Sequence, residues 1–207
     1  MKTARVRDSQ KSREDILNAA EMEFSDKGIY GTRIDEIAAR ANINKRMIYE
    51  YFGNKEELYK AVLSSVYGRL SRKEFDLLSE HTSCTDAIKR IIQLQFEFLR
   101  DSPTYVNLIL WENLNKGKYI NQIDFSGIKD PTLELLASVI DRGKAEGVFK
   151  PEINTKQVIL SILTHTFSYY SNRYTLSKLL SMDMGKKENI KLRADIVTDM
   201  FLGYLCK

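Results

Sequence analysis

Two basic residues, Lys45 and Arg46, stand side by side where a short helical pattern begins. Asn44 precedes them and can cap that helix with its side chain. At a helix N-terminus, free backbone N–H groups and the positive end of the helix dipole favour anionic partners. Two cations at this helix end can therefore bind phosphates or donate hydrogen bonds to the edges of bases.

The residues around this pair predict two short helices joined by a tight turn. Apolar residues three and four positions apart in residues 34–38 give the first helix an apolar face, and Thr32 is its expected N-cap. Asn42 tolerates the left-handed conformation that the turn requires. The second helix has its own apolar face, which ends at Phe52, an expected core residue. This is the helix-turn-helix pattern, which places its second helix in the major groove of DNA.

The composition is that of an ordinary globular protein with a mild positive charge. The chain has 207 residues, of which 43% are hydrophobic and 29% charged, and its formal net charge is +4. This length is enough for one sizeable core or two modest domains. Because there are only three prolines and ten glycines, helices are favoured over turn-rich sheets. A net charge of +4 is by itself only a weak indication of nucleic-acid binding.

Caps and helix breakers predict an all-α fold of about nine helices. A long helix from Asn54 into the 70s is expected to connect a three-helix head, residues 1–53, with a helical domain, residues 54–207. The other predicted helices are residues 9–27, closed by Gly28, those starting at Thr82 or Ser83, at Ser102-Pro103, at Asp130-Pro131 and at Asn154, and a last helix at about residues 189–206. The helix from Asn154 has Leu180 as its furthest possible end.

No residue pattern of an enzyme, a metal site or a cofactor site is found. Cys84 and Cys206 are far apart, so they form neither a metal spacing nor a disulfide framework and are expected as free thiols in a reducing cytoplasm. There is no Cys/His or Ser/His pairing with a supporting signature and no nucleotide-binding loop. A signal peptide and a membrane span are also missing from the pattern. We therefore expect a cytoplasmic protein that is not an enzyme and has no cofactor, no metal and no membrane partner.

Residues 1–13 form a basic arm, with five basic residues against one acidic residue. Such an arm can neutralise phosphates or enter the minor groove of DNA. It can equally be a solvated terminus. Both interpretations stay open.

Several of these features occur together in one known family. They are Phe24, Gly28 and Gly31-Thr32 at the entry, the Ile37-Ala38 pair, the run Ile48-Tyr49-x-Tyr51-Phe52, and the helix start Lys55-Glu56-Glu57-Leu58. With these motifs the chain resembles the N-terminal DNA-binding domain of the TetR family of bacterial transcriptional regulators. The resemblance is close over residues 10–63 and rests on helix number and length beyond them.

The resemblance implies a set of DNA contacts around the second helix. The expected base readers are Lys45, Arg46 and Met47, and the expected phosphate contacts are Thr32, Arg33, Tyr49, Tyr51 and Lys55. Tyr49 is expected to bury its ring and keep its hydroxyl outside. Tyr51 stands where many members of the family have histidine. Glu50 either accepts a hydrogen bond from a cytosine amino group or faces solvent.

The helices after residue 154 contain more apolar residues than one small core needs. A four-helix bundle with the same helices of a second copy would bury the excess, and the resemblance implies the same dimer. The expected interface residues are Ile162, Phe167, Tyr170, Val197, Phe201 and Leu205. Two heads about 34–36 Å apart could then read successive major grooves. Replacing Phe167 or Phe201 by Glu is expected to give monomers.

The resemblance also implies a pocket for a small-molecule effector in residues 54–207. The candidate lining residues are Asn107, Trp111, Glu112, His165, Tyr169 and Asn172. Trp111 and His165 could instead be ordinary core residues. The effector would favour a separation of the two heads that does not match the half-site spacing, so the affinity for DNA would fall.

The sequence therefore predicts a ligand-responsive, dimeric DNA-binding transcriptional regulator. Its expected partners are a palindromic double-stranded operator, a second copy of the chain and an unknown small-molecule effector. The resemblance to the TetR family favours a repressor over an activator. The alternative is a helical module that structures DNA without sequence preference or binds other proteins.

Overall fold

The computed structural model describes residues 9–73, 82–124 and 131–206 of the chain. Most of the basic arm and the predicted cap Asp130 lie outside these described residues. The helices are α1 Ser9–Gly31, α2 Ile34–Ala41, α3 Lys45–Phe52, α4 Lys55–Lys73, α5 Cys84–Asp101, α6 Pro103–Leu114, α7 Pro131–Ala145, α8 Thr155–Ser171, α9 Arg173–Leu179 and α10 Lys187–Leu205. A 3-10 turn covers Ile120–Gln122, and the one β pairing in the described part is an isolated bridge between Phe149 and Cys206. The prediction of an all-α fold is confirmed.

The predicted helix starts follow from side-chain caps. The Oδ1 atom of Asn54 accepts from the N–H of Glu57 at 2.9 Å, and α4 continues to Lys73, as the sequence predicts. Ser83 caps α5 and Asn154 caps α8 in the same way. Each cap satisfies a backbone donor that the first turn of a helix leaves unpaired.

The helix that begins at Asn154 does not reach Leu180. It ends at Ser171, and the separate helix α9 follows. Asn172 closes α8, and its side-chain amide donates to the carbonyl of Ser168 at 3.1 Å. This local bond satisfies a carbonyl at the end of the helix and competes with its continuation.

The chain is divided into two compact units. The first comprises Met1–Tyr67 and Asn107–Ile128, and the second comprises Gly68–Val106 and Lys129–Lys207. This division differs from the predicted boundary after residue 53, because residues 54–67 and 107–124 pack with the N-terminal helices. The assignment of DNA binding to residues 1–53 stays a prediction.

The core of the first unit is built from the apolar faces of its short helices. Ile16, Ile37 and Ile48, from α1, α2 and α3, are fully buried. The rings of Phe24 and Tyr59 meet edge to face with their centroids 5.0 Å apart. Because these buried faces hold α3 on the other two helices, its remaining face is left at the surface.

In the first unit, α1 is interrupted at Gly28. This residue has φ +64° and ψ 174°, a backbone conformation open almost only to glycine. A Cβ atom here would lie 2.9 Å from the Trp111 ring, which packs directly on the backbone. The indole Nε1–H of Trp111 donates to the carbonyl of Ser25 at 3.2 Å. Gly28 is therefore fixed both by its dihedral angles and by the ring against it.

The second unit packs α5 against α7, α8 and α10. Phe96 of α5 lies against Tyr169 and Tyr170 of α8, and the Tyr170 hydroxyl donates to the Phe96 carbonyl at 2.7 Å. Ile162 of α8 and Val197 of α10 are fully buried in this core. In the described part of the chain, no helix is both long and apolar enough to cross a membrane.

Candidate nucleic-acid interface

The turn between α2 and α3 has the predicted geometry. Asn42 adopts φ 52° and ψ 50°, the left-handed conformation. The N–H of Ile43 then donates to the carbonyl of Ala38 at 3.0 Å, which closes the end of α2. The prediction for Asn42 is confirmed, and the two helices form a helix-turn-helix.

The exposed side of α3 carries the predicted DNA-contacting residues. Asn44 Oδ1 accepts from the N–H of Arg46 at 2.9 Å, so the expected cap is confirmed. Ile48 and Phe52 face the core, whereas Lys45, Arg46 and Tyr49 are exposed. Tyr49 is 48% exposed, so its side chain is not buried as expected. Half-buried members of the predicted set are Met47 and Tyr51. The arrangement can insert cations and hydroxyl groups into a groove, and each contact with DNA stays a prediction.

Both basic residues of α3 already have acidic partners. Lys45 Nζ lies 3.0 Å from Asp35 Oδ1, and this bond raises the pKa of Lys45. Arg46 Nε lies 2.9 Å from Glu50 Oε1, one turn along the same helix. These pairs are exposed, and exposed pairs contribute only about 0–1 kcal/mol, so phosphates can displace the carboxylates at little cost. Glu50 thus has a structural partner that the sequence interpretation did not include.

Thr32 is not the N-cap of α2, so that prediction is wrong. The N-cap is Arg33, whose N–H donates to Glu36 Oε2 at 3.1 Å. Thr32 is only 1% exposed, and its hydroxyl lies 2.8 Å from the Gly28 carbonyl and 3.0 Å from that of Glu23. The kink of α1 at Gly28 turns the Thr32 side chain inward, where its hydroxyl bonds to these carbonyls. A phosphate contact through this hydroxyl would require it to leave both.

Lys55 joins the starts of α2 and α4. Its Nζ donates to the carbonyl of Thr32 at 3.0 Å, and the residue is half-buried. An ammonium group has three donors, so two remain for a phosphate. Arg33, which follows Thr32 in sequence, is exposed. The predicted phosphate roles of Lys55 and Arg33 are compatible with this geometry and stay predictions.

A buried acid that the sequence interpretation missed links α1 to α2. Glu23 is 6% exposed and bonds to Lys27 at 2.8 Å and to Arg40 at 2.7 Å. The hydrogen bond from Lys27 lowers the pKa of Glu23 most, burial acts in the opposite direction, and Arg40 lowers it further. The spacing of Glu23 and Lys27 on one helix is the only sequence signal for this network, because Arg40 comes from the next helix.

Three of the predicted effector-lining residues belong to the first unit. Trp111 packs on Gly28, as described above, and Asn107 is exposed. Glu112 is 2% exposed, and its Oε2 accepts from the N–H groups of Tyr119 at 3.1 Å and Ile120 at 2.9 Å. A buried carboxylate needs such donors, and here it caps the 3-10 turn. Trp111 and Glu112 therefore have structural contacts within the first unit.

His165 and Tyr169 do line a cavity in the second unit, with a volume of about 480 Å³. Asn172, the third predicted residue of this group, is exposed and bonds to Ser168 and Ser171 instead. In the described ranges, no group of His, Cys, Asp or Glu side chains is arranged to hold a metal ion.

Most of the predicted interface residues lie in the core of the chain itself. Ile162, Val197 and Leu205 are fully buried, while Tyr170 and Phe201 are nearly so. The prediction placed them on the wrong side of their helices, because packing on α5 uses this side. Phe167 is half-buried. The apolar side chains of these helices that remain exposed are Leu160, Leu192, Ile196, Met200 and Tyr204.

Comparisons with known proteins match both parts of the chain. The family described as bacterial regulatory proteins, tetR family, matches residues 16–62, and the tetracyclin repressor-like C-terminal domain matches residues 85–201. The HTH-type transcriptional repressor NicS of Pseudomonas putida is 30% identical over 185 residues, which are 89% of this chain and 87% of that protein. The HTH-type transcriptional repressor SCO4008 of Streptomyces coelicolor is 36% identical over 112 residues, 54% of this chain and 55% of that protein.

A solved structure supports the same fold. The transcriptional regulator FadR from Bacillus subtilis, in complex with stearoyl-CoA, matches this chain with a TM-score of 0.73 at 17% identity. The match covers 92% of this chain and 98% of that one. Together with the helix-turn-helix and the two family matches, these findings show that the chain belongs to the TetR family of DNA-binding bacterial transcriptional regulators.

Proposed function

We propose that the protein is a cytoplasmic, dimeric repressor that binds a palindromic operator and is released from it by a small-molecule effector. The observation that carries the proposal is the exposed face of α3, where Lys45, Arg46 and Tyr49 stand on a helix whose other face is buried. A helix held this way can enter the major groove and present donors to base edges and phosphates. Repression is favoured because the relatives NicS and SCO4008 are both named repressors.

The dimer follows from the needs of DNA reading and from the surface of α10. One recognition helix reads too few base pairs, so two heads must bind half-sites about one helical turn apart. Leu192, Ile196, Met200 and Tyr204 recur every four residues along α10 and are 42–59% exposed. Leu160 of α8 is also exposed, and Met200 and Tyr204 lie with Gln157 of α8 around one shallow groove. We assign the self-association surface to this exposed row.

The effector response requires a cavity and two states of the dimer. The cavity of the second unit, with about 480 Å³, falls within the range of about 300–1,000 Å³ that is usual for small-molecule sites. An effector shifts the DNA affinity only by its difference in affinity for the DNA-bound and the released states. We therefore expect effector binding and operator binding to weaken each other by the same factor.

Selection of bound DNA sequences from a random duplex library tests the proposed DNA-binding function. The purified full chain is mixed with a random duplex library at about 150 mM salt, where non-specific binding is weak, and bound duplexes are sequenced. We expect an enriched palindrome with two half-sites, and no enrichment with the variant Arg46→Ala plus Tyr49→Ala. If the wild-type protein enriches no sequence but binds all duplexes with a steep salt dependence, the non-specific DNA-structuring module replaces this proposal.

A further inference from the structure

The cavity of the second unit lies between α8, α9, the segment of residues 180–186 and α10. Tyr169 and Met184 are nearly buried and form its inner wall. Leu180 and Met182 are 62% and 36% exposed and form its rim. A cavity of this volume, with apolar side chains at its inner wall and at its rim, suits a small organic molecule.

The polar atom of the inner wall is already satisfied. The Tyr169 hydroxyl donates to the carbonyl of Met184 at 2.9 Å. Burial raises the pKa of Tyr169, so this hydroxyl stays neutral and keeps its bond at physiological pH. The inner wall therefore presents ring and thioether surface rather than a charge, and it suits an apolar body.

Arg193 of α10 differs from the other side chains around this cavity in its charge. It is the lining residue with a permanent charge, and it is half-buried. Within the described part of the chain, its guanidinium has neither a hydrogen bond nor an ion pair. The charge of Asp183 raises the pKa of the Tyr169 hydroxyl, and Asp183 Oδ1 accepts from the N–H of Gly185 at 2.8 Å. The contrast with Lys45, Arg46 and Arg100, which all have carboxylate partners, is clear.

A guanidinium at an apolar cavity is best satisfied by a planar anion. Its fork of N–H donors matches the two oxygens of a carboxylate, and a charge-assisted pair is stronger where water is partly excluded. His165 of α8 also lines the cavity, with Nδ1 2.7 Å from the carbonyl of Ser161. Because a carbonyl only accepts, Nδ1 carries a proton, and the second ring nitrogen is left to a ligand or to water.

We infer that this cavity binds small monocarboxylates with an apolar body, the carboxylate on Arg193 and the body against Tyr169 and Met184. The inference rests on the proposed function in one respect, namely that the occupant of the cavity acts as the effector. The ligand class itself follows from the pairing of one free cation with apolar walls. A neutral molecule of the same shape would leave the guanidinium without its partner.

Calorimetric titration of the full chain tests the ligand class. The probes are octanoate and 4-phenylbutyrate, each compared with its primary amide, which keeps the shape and removes the charge. We expect both carboxylates to bind the wild-type protein and each amide to bind at least about tenfold more weakly, since a charge-assisted pair is lost. Equal binding of acid and amide, or no binding of either carboxylate, overturns the inference.

Variants of the arginine separate its charge from its packing. Arg193→Gln should lower the affinity for the carboxylates at least about tenfold and leave that for the amides unchanged, whereas Arg193→Lys should keep the acid over the amide. Arg173→Gln is the matched control, because Arg173 of α9 lies over the Tyr174 ring and does not line the cavity. Circular dichroism establishes that each variant is folded. Unchanged acid affinity in Arg193→Gln overturns the role of Arg193.

The two proposals fail separately. Operator selection uses the protein without any probe, so its result does not depend on the cavity. If the operator is enriched and the carboxylates do not bind, the regulator stands and the ligand class is wrong. If the carboxylates bind through Arg193 but no operator is enriched, the ligand class stands and the repressor is wrong.

Discussion

At the scale of single residues, the candidate DNA-binding surface contains its own counter-charges. Arg46 pairs with Glu50 and Lys45 with Asp35, in both cases at the surface. Each carboxylate also places a negative charge close to the expected path of the phosphates. The acids should therefore reduce binding to DNA of any sequence more than they affect folding.

Replacing Glu50 by Gln is expected to strengthen binding to random duplex DNA. The change frees Arg46 and removes a negative charge, so an increase of about threefold to tenfold is expected at low salt, falling as salt rises. Fluorescence anisotropy with a labelled random duplex measures it. Glu188→Gln, an exposed acid on α10, removes the same charge away from α3 and should change the affinity far less. Equal effects of the two variants would show that only net charge matters.

The lowered pKa of Glu23 predicts that the stability of the folded protein depends on pH. Its pKa in the folded protein lies below the ordinary value of 4.5, mainly because Lys27 donates to it, although burial opposes the shift. A lowered pKa means that the contribution to stability is complete above pH 4.5 and is lost as the pH falls through the folded pKa.

The comparison of Glu23→Gln with the wild-type protein tests this sign. The melting temperature of the variant should be lower at pH 7, and the difference should shrink on going to pH 4 and below. Glu14→Gln, at an exposed position of α1, should show no such convergence. A difference between wild type and Glu23→Gln that grows towards acid pH would contradict the assigned direction of the pKa.

At the scale of the elements, α1 depends on one residue without a side chain. Gly28 combines a positive φ with direct contact to the Trp111 ring. This break also turns Thr32 inward, where its hydroxyl meets the Gly28 carbonyl. The end of α1 and the start of α2 are therefore positioned by the same feature.

Gly28→Ala is expected to destabilise the protein by about 1–3 kcal/mol, because the backbone conformation is strained for any other residue. Contact with the indole ring adds to this cost. Urea unfolding monitored by circular dichroism measures the change. Gly203→Ala is the control, since Gly203 lies in α10 with open space around its Cα, and a helical alanine should be neutral or stabilising there. Equal stability of Gly28→Ala and wild type would contradict the assigned strain.

At the scale of the whole molecule, the question is which side of α10 meets a second copy. Val197 and Phe201 belong to the core, whereas Ile196 and Met200, one position before them, are exposed. Glutamate at Phe201 would bury a charge and is expected to unfold the second unit rather than dissociate a folded dimer. The test of self-association therefore moves to the exposed row.

Met200→Glu is expected to give folded monomers, because it places a charge in the proposed contact between copies. Light scattering gives the mass, and circular dichroism checks the helix content. Lys191→Glu reverses the charge at an exposed position of the same helix outside the row and should stay dimeric. If Met200→Glu remains a dimer, the exposed row is not the interface.

Local chemistry made most of the helices predictable from the sequence. The caps at Asn44, Asn54, Ser83 and Asn154 are all observed, because a cap depends only on residues within one turn. The left-handed turn at Asn42 is local in the same sense. By contrast, the network of Glu23 and Arg40 joins two helices and carries no periodic signal.

The sequence by itself thus determined the helix-turn-helix and most of the helix starts, since these depend on short-range caps and apolar spacing, while its motifs carried the resemblance to the family. Only the tertiary structure decided which apolar side of α8 and α10 faces inward, because both sides fit a helical period and packing on α5 selects one. It also placed Trp111 and Glu112 in the first unit, where Trp111 contacts Gly28, which is distant in sequence, and Glu112 bonds to the nearby 3-10 turn. The surface of α3, predicted first, has the expected position, and its cations have acidic partners. The pair of Arg46 with Glu50 follows from their spacing on one helix, whereas that of Lys45 with Asp35 joins two helices and has no such signal.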